Sequence, residues 1–280
     1  MRLFLLLSFP ILLSSISSCG GNESKPADVV PNASGVAEPK NIGYTVVGVF
    51  PHDTSAFTQG FELYKGKMLE STGLTGRSSL RYVDYKSGKI LRSKKIPDSI
   101  FAEGITVLND TLYQLTYQNK QILVYKPDDF TLVDKRSWSS EGWGITNDGT
   151  NLYISDGSDK IYVVRPADMK LMKVIGVRDH YGPVNNVNEL EFINGFIYAN
   201  RWGTDFIMKI DPASGIVVGR INLDSILQKN TKDDLSYLTK PGTVADSGAV
   251  LNGIAWDPAS NKMIITGKLW PAVFEIQLSE

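Results

Sequence analysis

From residue 44 onward, short apolar runs alternate with polar turns, and the alternation itself recurs. Five segments share one layout of polar residue, apolar strand, tight turn and second strand: "QGFELYKGKMLEST", "EGITVLNDTLYQLTY", "WGITNDGTNLYISDG", "NELEFINGFIYANRW" and "NGIAWDPASNKMIITGKLW". They begin at Gln59, Glu103, Trp143, Asn188 and Asn252, at spacings of 44, 40, 45 and 64 residues. The turns "YKGK", "LNDT", "NDGTN" and "INGF" carry the Gly, Asn and Asp that tight hairpins need. Alternating third strands follow, such as "QILVYK" and "KIYVVR", and then fourth strands after new turn signals, as in "KSGKILRSKKI". A period of this size matches a four-stranded blade. The pattern predicts an all-β fold, a five-bladed β-propeller.

The last unit reaches Glu280 with only three strands, and "YTVVGVF" (44–50) supplies the missing one. An N-terminal strand closing the last blade removes the exposed edge at both chain ends. The connection across 222–250 is about twenty residues longer than its counterparts. Within it, "LDSILQKNTKDDLSYLTK" (223–240) is expected to form a short helix over one face, either a plain surface insertion or a rim of the site.

The N-terminal part is patterned differently. "MRLFLLLSFPILLSSISSC" has one basic residue, an apolar run and then small residues, which is the form of an export signal over 1–18. Its end, "ISSC", resembles a bacterial lipobox, so Cys19 is expected to carry lipid; it is the single cysteine of the chain. Residues 19–40, rich in Gly, Pro, Ser and Ala, read as a flexible tether, and 41–280 as the propeller domain. The expected location is the cell envelope, lipid-anchored, with Gly20 after the cysteine favouring the outer membrane facing the periplasm. Nothing in the pattern calls for an obligate oligomer, and a monomer is expected.

In a propeller, equivalent positions on the first strands converge at one mouth. The column Gln59, Glu103, Trp143, Asn188, Asn252 therefore makes a small pocket of four polar groups and one indole. Across the hairpins lies a second column, Gly73, Tyr117, Gly157, Trp202 and Lys268, in which the two glycines leave room for a ligand. A carboxylate among aromatic rings loses hydration, which raises its pKa and suits Glu103 to proton transfer near neutrality. Lys268 is placed to hold it ionised or to face a developing oxyanion. Gln59 and Asn252 are equally open to the plainer role of satisfying backbone groups or channel water. Trp256 and Trp270 read as packing residues, and His52 and His180 as loop histidines.

Charge and composition narrow the chemistry. Loss of Arg2 with the leader leaves 28 basic against 30 acidic residues, a net of −2, and no basic run suggests nucleic acid. Two distant histidines and one cysteine make a His/Cys metal site improbable, so no metal ligands are assigned. No Ser–His pair, P-loop lysine or thiol nucleophile accompanies Glu103. What remains is proton transfer without a protein nucleophile.

These strings, above all "FTQGFEL", "FAEGIT", "EGWGITNDGTNLYISDGS", "NELEFINGFIYANRWGTD" and "NGIAWDPASNKMIITGKLWP", resemble the glutaminyl-peptide cyclotransferases of the plant and bacterial type, in order and through all five blades. The resemblance implies conversion of an N-terminal glutaminyl residue to pyroglutamate with release of ammonia, on peptides or proteins that begin with Gln. It implies Glu103 as proton shuttle and Lys268 as its catalytic partner. Gln59, Asn188, Trp143, Trp202 and Tyr117 are then the substrate-binding residues, Tyr117 standing where the papaya-type enzyme has a third tryptophan. No cofactor is expected for catalysis, and a structural calcium is compatible with the fold. Two other readings stay open from the residues alone: a non-catalytic envelope propeller that binds a peptide or carbohydrate, and a calcium-dependent lactonase-type propeller. The latter is disfavoured because the column offers one acid.

Overall fold

A computed structural model describes residues 35–233 and 248–279. The expected leader, the Cys19 attachment point and most of the tether lie outside the described residues, as does 234–247 of the long connection. The rest is the five-bladed β-propeller that the repeats predict. Blade 1 is built from Thr58–Tyr64, Lys67–Thr72, Ser79–Asp84 and Lys89–Lys95. Blade 2 runs from Ala102–Leu108 to Leu132–Ser137, blade 3 from Ile145–Asn147 to Lys170–Gly176, and blade 4 from Val187–Ile193 to Val217–Asn222. Blade 5 takes Leu251–Asp257, Lys262–Gly267 and Ala272–Ser279 from the C-terminal part, and its outer strand is Gly43–Pro51, antiparallel to Ala272–Ser279.

Burial grades outward along each blade. The inner strand Ala102–Leu108 is almost wholly buried, whereas the outer strand Lys89–Lys95 is almost wholly exposed and lysine-rich, a charge pattern that protects an open sheet edge. Among the described residues, the buried apolar side chains form a core between each pair of neighbouring blades and a sixth, smaller cluster around Phe57 and Leu269. Leu69, Leu80, Leu112 and Tyr125 join blades 1 and 2, and Phe61, Met68, Ile264 and Val273 join blades 5 and 1. Sheets packed face to face around a ring leave the axis free of this apolar filling.

Two features go beyond the sequence reading. Lys40–Asn41 adds a short parallel strand to the outside of blade 4, so the N-terminal segment crosses two blades before closing the ring. His52, read as a loop histidine, is buried at the end of the closing strand. It contacts Glu70 at 2.9 Å, and Arg81 reaches both Glu70 at 2.9 Å and Asp53 at 2.8 Å. This network fastens the closing strand to blade 1. The expected helix in the long connection is present but short, Ile226–Asn230, with Ile226 and Leu227 buried against the core between blades 4 and 5.

The axis holds acids that the strand reading did not single out. Four blades have glycine immediately after the column residue (Gly60, Gly104, Gly144, Gly253), and there the inner strands meet backbone to backbone; a Cβ on Gly104 would lie 2.8 Å from the Trp143 carbonyl oxygen. Blade 4 has Glu189 instead. Its buried carboxylate accepts the backbone N–H groups of Phe61 at 3.3 Å and Ile254 at 2.9 Å, bridging to blades 1 and 5. Further along the axis, Glu62 accepts the Val107 N–H at 3.1 Å and Glu191 that of Trp256 at 3.1 Å. The axis thus carries three glutamates besides Glu103, not one acid alone.

Candidate active site

What aims the column residues at the mouth is a repeated irregularity. In blades 1, 2, 4 and 5 the inner strand gains one residue on its partner, between Thr58 and Gly60, Ala102 and Ile105, Val187 and Leu190, and Leu251 and Ile254. Gln59, Glu103, Asn188 and Asn252 all fall in these β-bulges. In blade 3 Trp143 and Gly144 share Ser155 as partner, the Trp143 N–H donating to its carbonyl at 3.0 Å and the Gly144 carbonyl accepting its N–H at 2.9 Å. A bulge turns the extra side chain out of the alternation of the sheet. Five bulges at one level turn five side chains to one place.

The place is a cavity of about 300 Å³, at the small end of the range for ligand sites. Gln59, Glu103, Tyr117, Trp143, Asn188, Trp202 and Lys268 all line it, so every substrate-site residue expected from the sequence is brought together. Asn252 is absent from the lining and lies one layer behind. The remaining wall is apolar and was not foreseen: Phe57, Leu74 and Phe101. Phe57 and Phe101 each stand two residues before the column residue, in "FTQG" and "FAEG", a repetition that the sequence displays.

The aromatic walls form two sets. Trp143 and Trp202 meet edge to face, centroids 6.3 Å apart, and Phe101 stands between Phe57 at 6.2 Å and Tyr117 at 5.8 Å. Gly73 and Gly157 do not open space for a ligand. A Cβ on Gly73 would collide with the Phe101 ring, and one on Gly157 with the Trp143 ring. The two glycines seat the site's own rings. Trp202 is 38 % exposed and forms the outer lip. A Cβ on Gly248, where the described part of the long connection resumes, would come within 3.8 Å of Trp202 and 3.9 Å of Phe57, so this point of the chain lies at the rim of the cavity.

Glu103 and Lys268 are nearly inaccessible, at 5 % and 4 % exposure. Burial lifts the Glu103 carboxyl well above the usual range, opposed by the positive charge of Lys268 and aided by Glu141. Burial likewise lowers Lys268, to about 8, against the pull of Glu103. Lys268 Nζ also lies 4.9 Å from the centre of the Phe57 ring, whose π face offsets part of its lost hydration. The two shifts move the acid and the base toward each other, the arrangement that proton transfer between them or to a substrate requires. Asn188 lines the cavity, and its Oδ1 is buried without a hydrogen-bond partner, an acceptor left for a donor.

Among the described residues, no three acidic, histidine or cysteine side chains converge in metal-holding geometry.

Comparison with known proteins agrees with this geometry. The family model described as "Glutamine cyclotransferase" matches residues 15–278. The chain belongs to the glutamine cyclotransferase family. A curated relative named glutaminyl-peptide cyclotransferase, from Arabidopsis thaliana, is 37 % identical over 238 residues, covering 84 % of this chain and 71 % of its own length. The crystal structure of Myxococcus xanthus glutaminyl cyclase is 33 % identical, with a TM-score of 0.75, over 86 % of this chain and 99 % of that one.

Proposed function

We propose that the protein is a glutaminyl-peptide cyclotransferase that closes an N-terminal glutaminyl residue to pyroglutamate. The observation that carries this is the pairing of buried Glu103 and Lys268 at the floor of an aromatic cavity sized for one residue and the start of the next. The nucleophile is the substrate's own α-amine, so the protein has to fold the side chain back and move protons. Aromatic walls hold the glutaminyl chain curled, which makes the attack intramolecular. As the amine nitrogen bonds to the γ-carboxamide carbon, its proton passes to the Glu103 carboxylate. Lys268 and the Gln59 amide face the developing oxyanion. The tetrahedral carbon then collapses: the bond to the amide nitrogen breaks, Glu103 returns the proton to that nitrogen, and ammonia leaves the lactam behind. Asn188 Oδ1 accepts an N–H of the substrate.

On this reading all the chemistry comes from substrate and side chains, and activity is independent of metal. We further propose that the protein acts as a monomer on exported peptides and proteins, lipid-anchored through Cys19 at the outer membrane and facing the periplasm. The leader and tether composition supports that location.

The test is ammonia release from a Gln-initiated dipeptide, with and without chelator, beside Glu103→Gln. Chelator-resistant turnover that disappears in the variant supports the reading. A folded protein that binds the dipeptide without releasing ammonia replaces it with a binding propeller.

A further inference from the structure

Glu141 lies two residues before Trp143, at the position that Phe57 and Phe101 occupy in blades 1 and 2. It is absent from the cavity lining and sits behind the wall. Both of its carboxylate oxygens are engaged: Oε2 accepts the Trp143 indole N–H at 3.1 Å, and Oε1 accepts the Gln118 amide at 3.3 Å. Gln118 follows the second strand of blade 2 and Trp143 opens blade 3, so this one side chain braces the wall across a blade boundary.

We infer that Glu141 is a positioning residue of the site, fixing the plane of the Trp143 ring and bringing a second acid to the wall beside Glu103. The inference rests on the cyclotransferase reading above. Trp143 has two other neighbours that define its ring, Gly157 beneath it and Trp202 edge-on at 6.3 Å. Neither can stop an indole from tilting, whereas a hydrogen bond at Nε1 can. The electrostatic half follows from a count of the groups around Glu103. Blade 5 contributes Lys268, the approach to blade 3 contributes Glu141, blade 2 Tyr117, and blades 1 and 4 the neutral amides Gln59 and Asn188, with the Glu189 carboxylate next along the axis and held by the Phe61 and Ile254 N–H groups. Without Glu141, burial alone opposes the positive charge of Lys268, and Glu103 titrates lower. An enzyme that needs a proton-shuttling carboxyl near neutrality gains from that second acid.

The two halves separate by substitution. Glu141→Gln keeps an oxygen for the indole N–H and loses the charge; Glu141→Leu loses both. For wild type and both variants, kcat and KM for a Gln-initiated dipeptide are measured from pH 5 to pH 9, and near-ultraviolet circular dichroism reports the coupled Trp143–Trp202 pair. The expected result is an acidic limb moved down by about half a pH unit in both variants. KM is expected to rise about tenfold in Glu141→Leu alone, with an altered tryptophan band. Unchanged limbs, or a Glu141→Gln variant as impaired in KM as Glu141→Leu, overturn the inference. If Glu141→Leu does not fold, Gln118→Leu removes the brace from the other side, and an unaltered tryptophan band there counts against positioning. Wild-type inactivity would strike the cyclotransferase reading, while the tryptophan band still decides the positioning role.

Discussion

The Asn252 amide nitrogen donates to the Thr58 carbonyl at 3.0 Å and reaches Gln59 Oε1 at 3.4 Å, across the seam between the last blade and the first. The Thr58 carbonyl can only accept, which fixes the orientation of the Asn252 amide. Gln59 therefore turns its oxygen to Asn252 and its NH₂ to the cavity. Asn252 acts on the site through Gln59, and a double-mutant cycle shows it. Gln59→Ala is expected to lower kcat about tenfold, and Asn252→Ala to lower it similarly. The double variant is expected to be no worse than Gln59→Ala alone. Additive losses would assign Asn252 an independent role.

Glu103 carries a burial cost in the free protein. Glu103→Gln is expected to reduce ammonia release by a factor on the order of 10² to 10⁴. Thermal unfolding of the same variant is expected at or above the wild-type midpoint, because the neutral amide is easier to bury than the carboxyl. A variant that loses activity and several degrees of stability together would point to a structural role for Glu103.

Glu62 and Glu191 face the same channel and repel each other. Burial raises Glu62 to about 7, with the hydroxyl of Thr106 and the Val107 N–H pulling the other way. Burial, with the Glu62 charge added, raises Glu191 well above the usual range. For an acid whose folded-state pKa is raised, the folded protein holds the proton more tightly than the unfolded chain. Its stability is complete below the unfolded pKa near 4.3 and falls as pH rises toward about 7. Glu62→Gln is expected to unfold a few degrees higher than wild type at pH 8 and close to it at pH 4.5. Both side chains are only partly screened from solvent, so the gain is on the order of 1 kcal/mol. A pH-independent difference would locate the effect in packing.

Glu70 behaves oppositely. Burial pushes its carboxyl up, but His52 and Arg81 outweigh that and hold it at about 2. Its contribution is therefore present above the unfolded carboxyl range and is lost as pH falls toward about 2. Glu70→Gln leaves His52 without its charge partner and Arg81 with Asp53 alone, and the expected loss is about 3–5 kcal/mol in urea unfolding at neutral pH. A loss below about 1 kcal/mol would mean that Asp53 alone satisfies Arg81.

The blades were legible because each hairpin carries its own turn residues and because the period repeats. The column followed from the same register, so Glu103, Lys268 and the aromatic partners met as expected. The bulges that aim them were not legible, since an extra residue in one strand is visible only against its partner. The role given to Gly73 and Gly157 failed for a related reason: the sequence shows where a side chain is missing, not which neighbouring ring occupies the gap. Glu62, Glu189 and Glu191 were not singled out, because in "FELY" and "NELEF" they alternate with apolar residues as solvent-facing positions do. On an innermost strand both faces are enclosed, and alternation no longer separates water from core. Lys40–Asn41 is too short and too polar to carry any period.

The strand Gly43–Pro51 closes the ring by pairing with Ala272–Ser279, more than 220 residues away in the chain. The same last blade supplies Lys268 and Asn252, so a chain still being made carries Glu103 without the lysine that faces it. Four blades can gather early from local hairpins, whereas the final seam must wait for the last residues and is the slow, non-local step. Assembly of the ring and assembly of the chemistry are thus one event. A nascent or truncated molecule is a stack of blades with half a site, and turnover begins only when the two ends of the polypeptide meet.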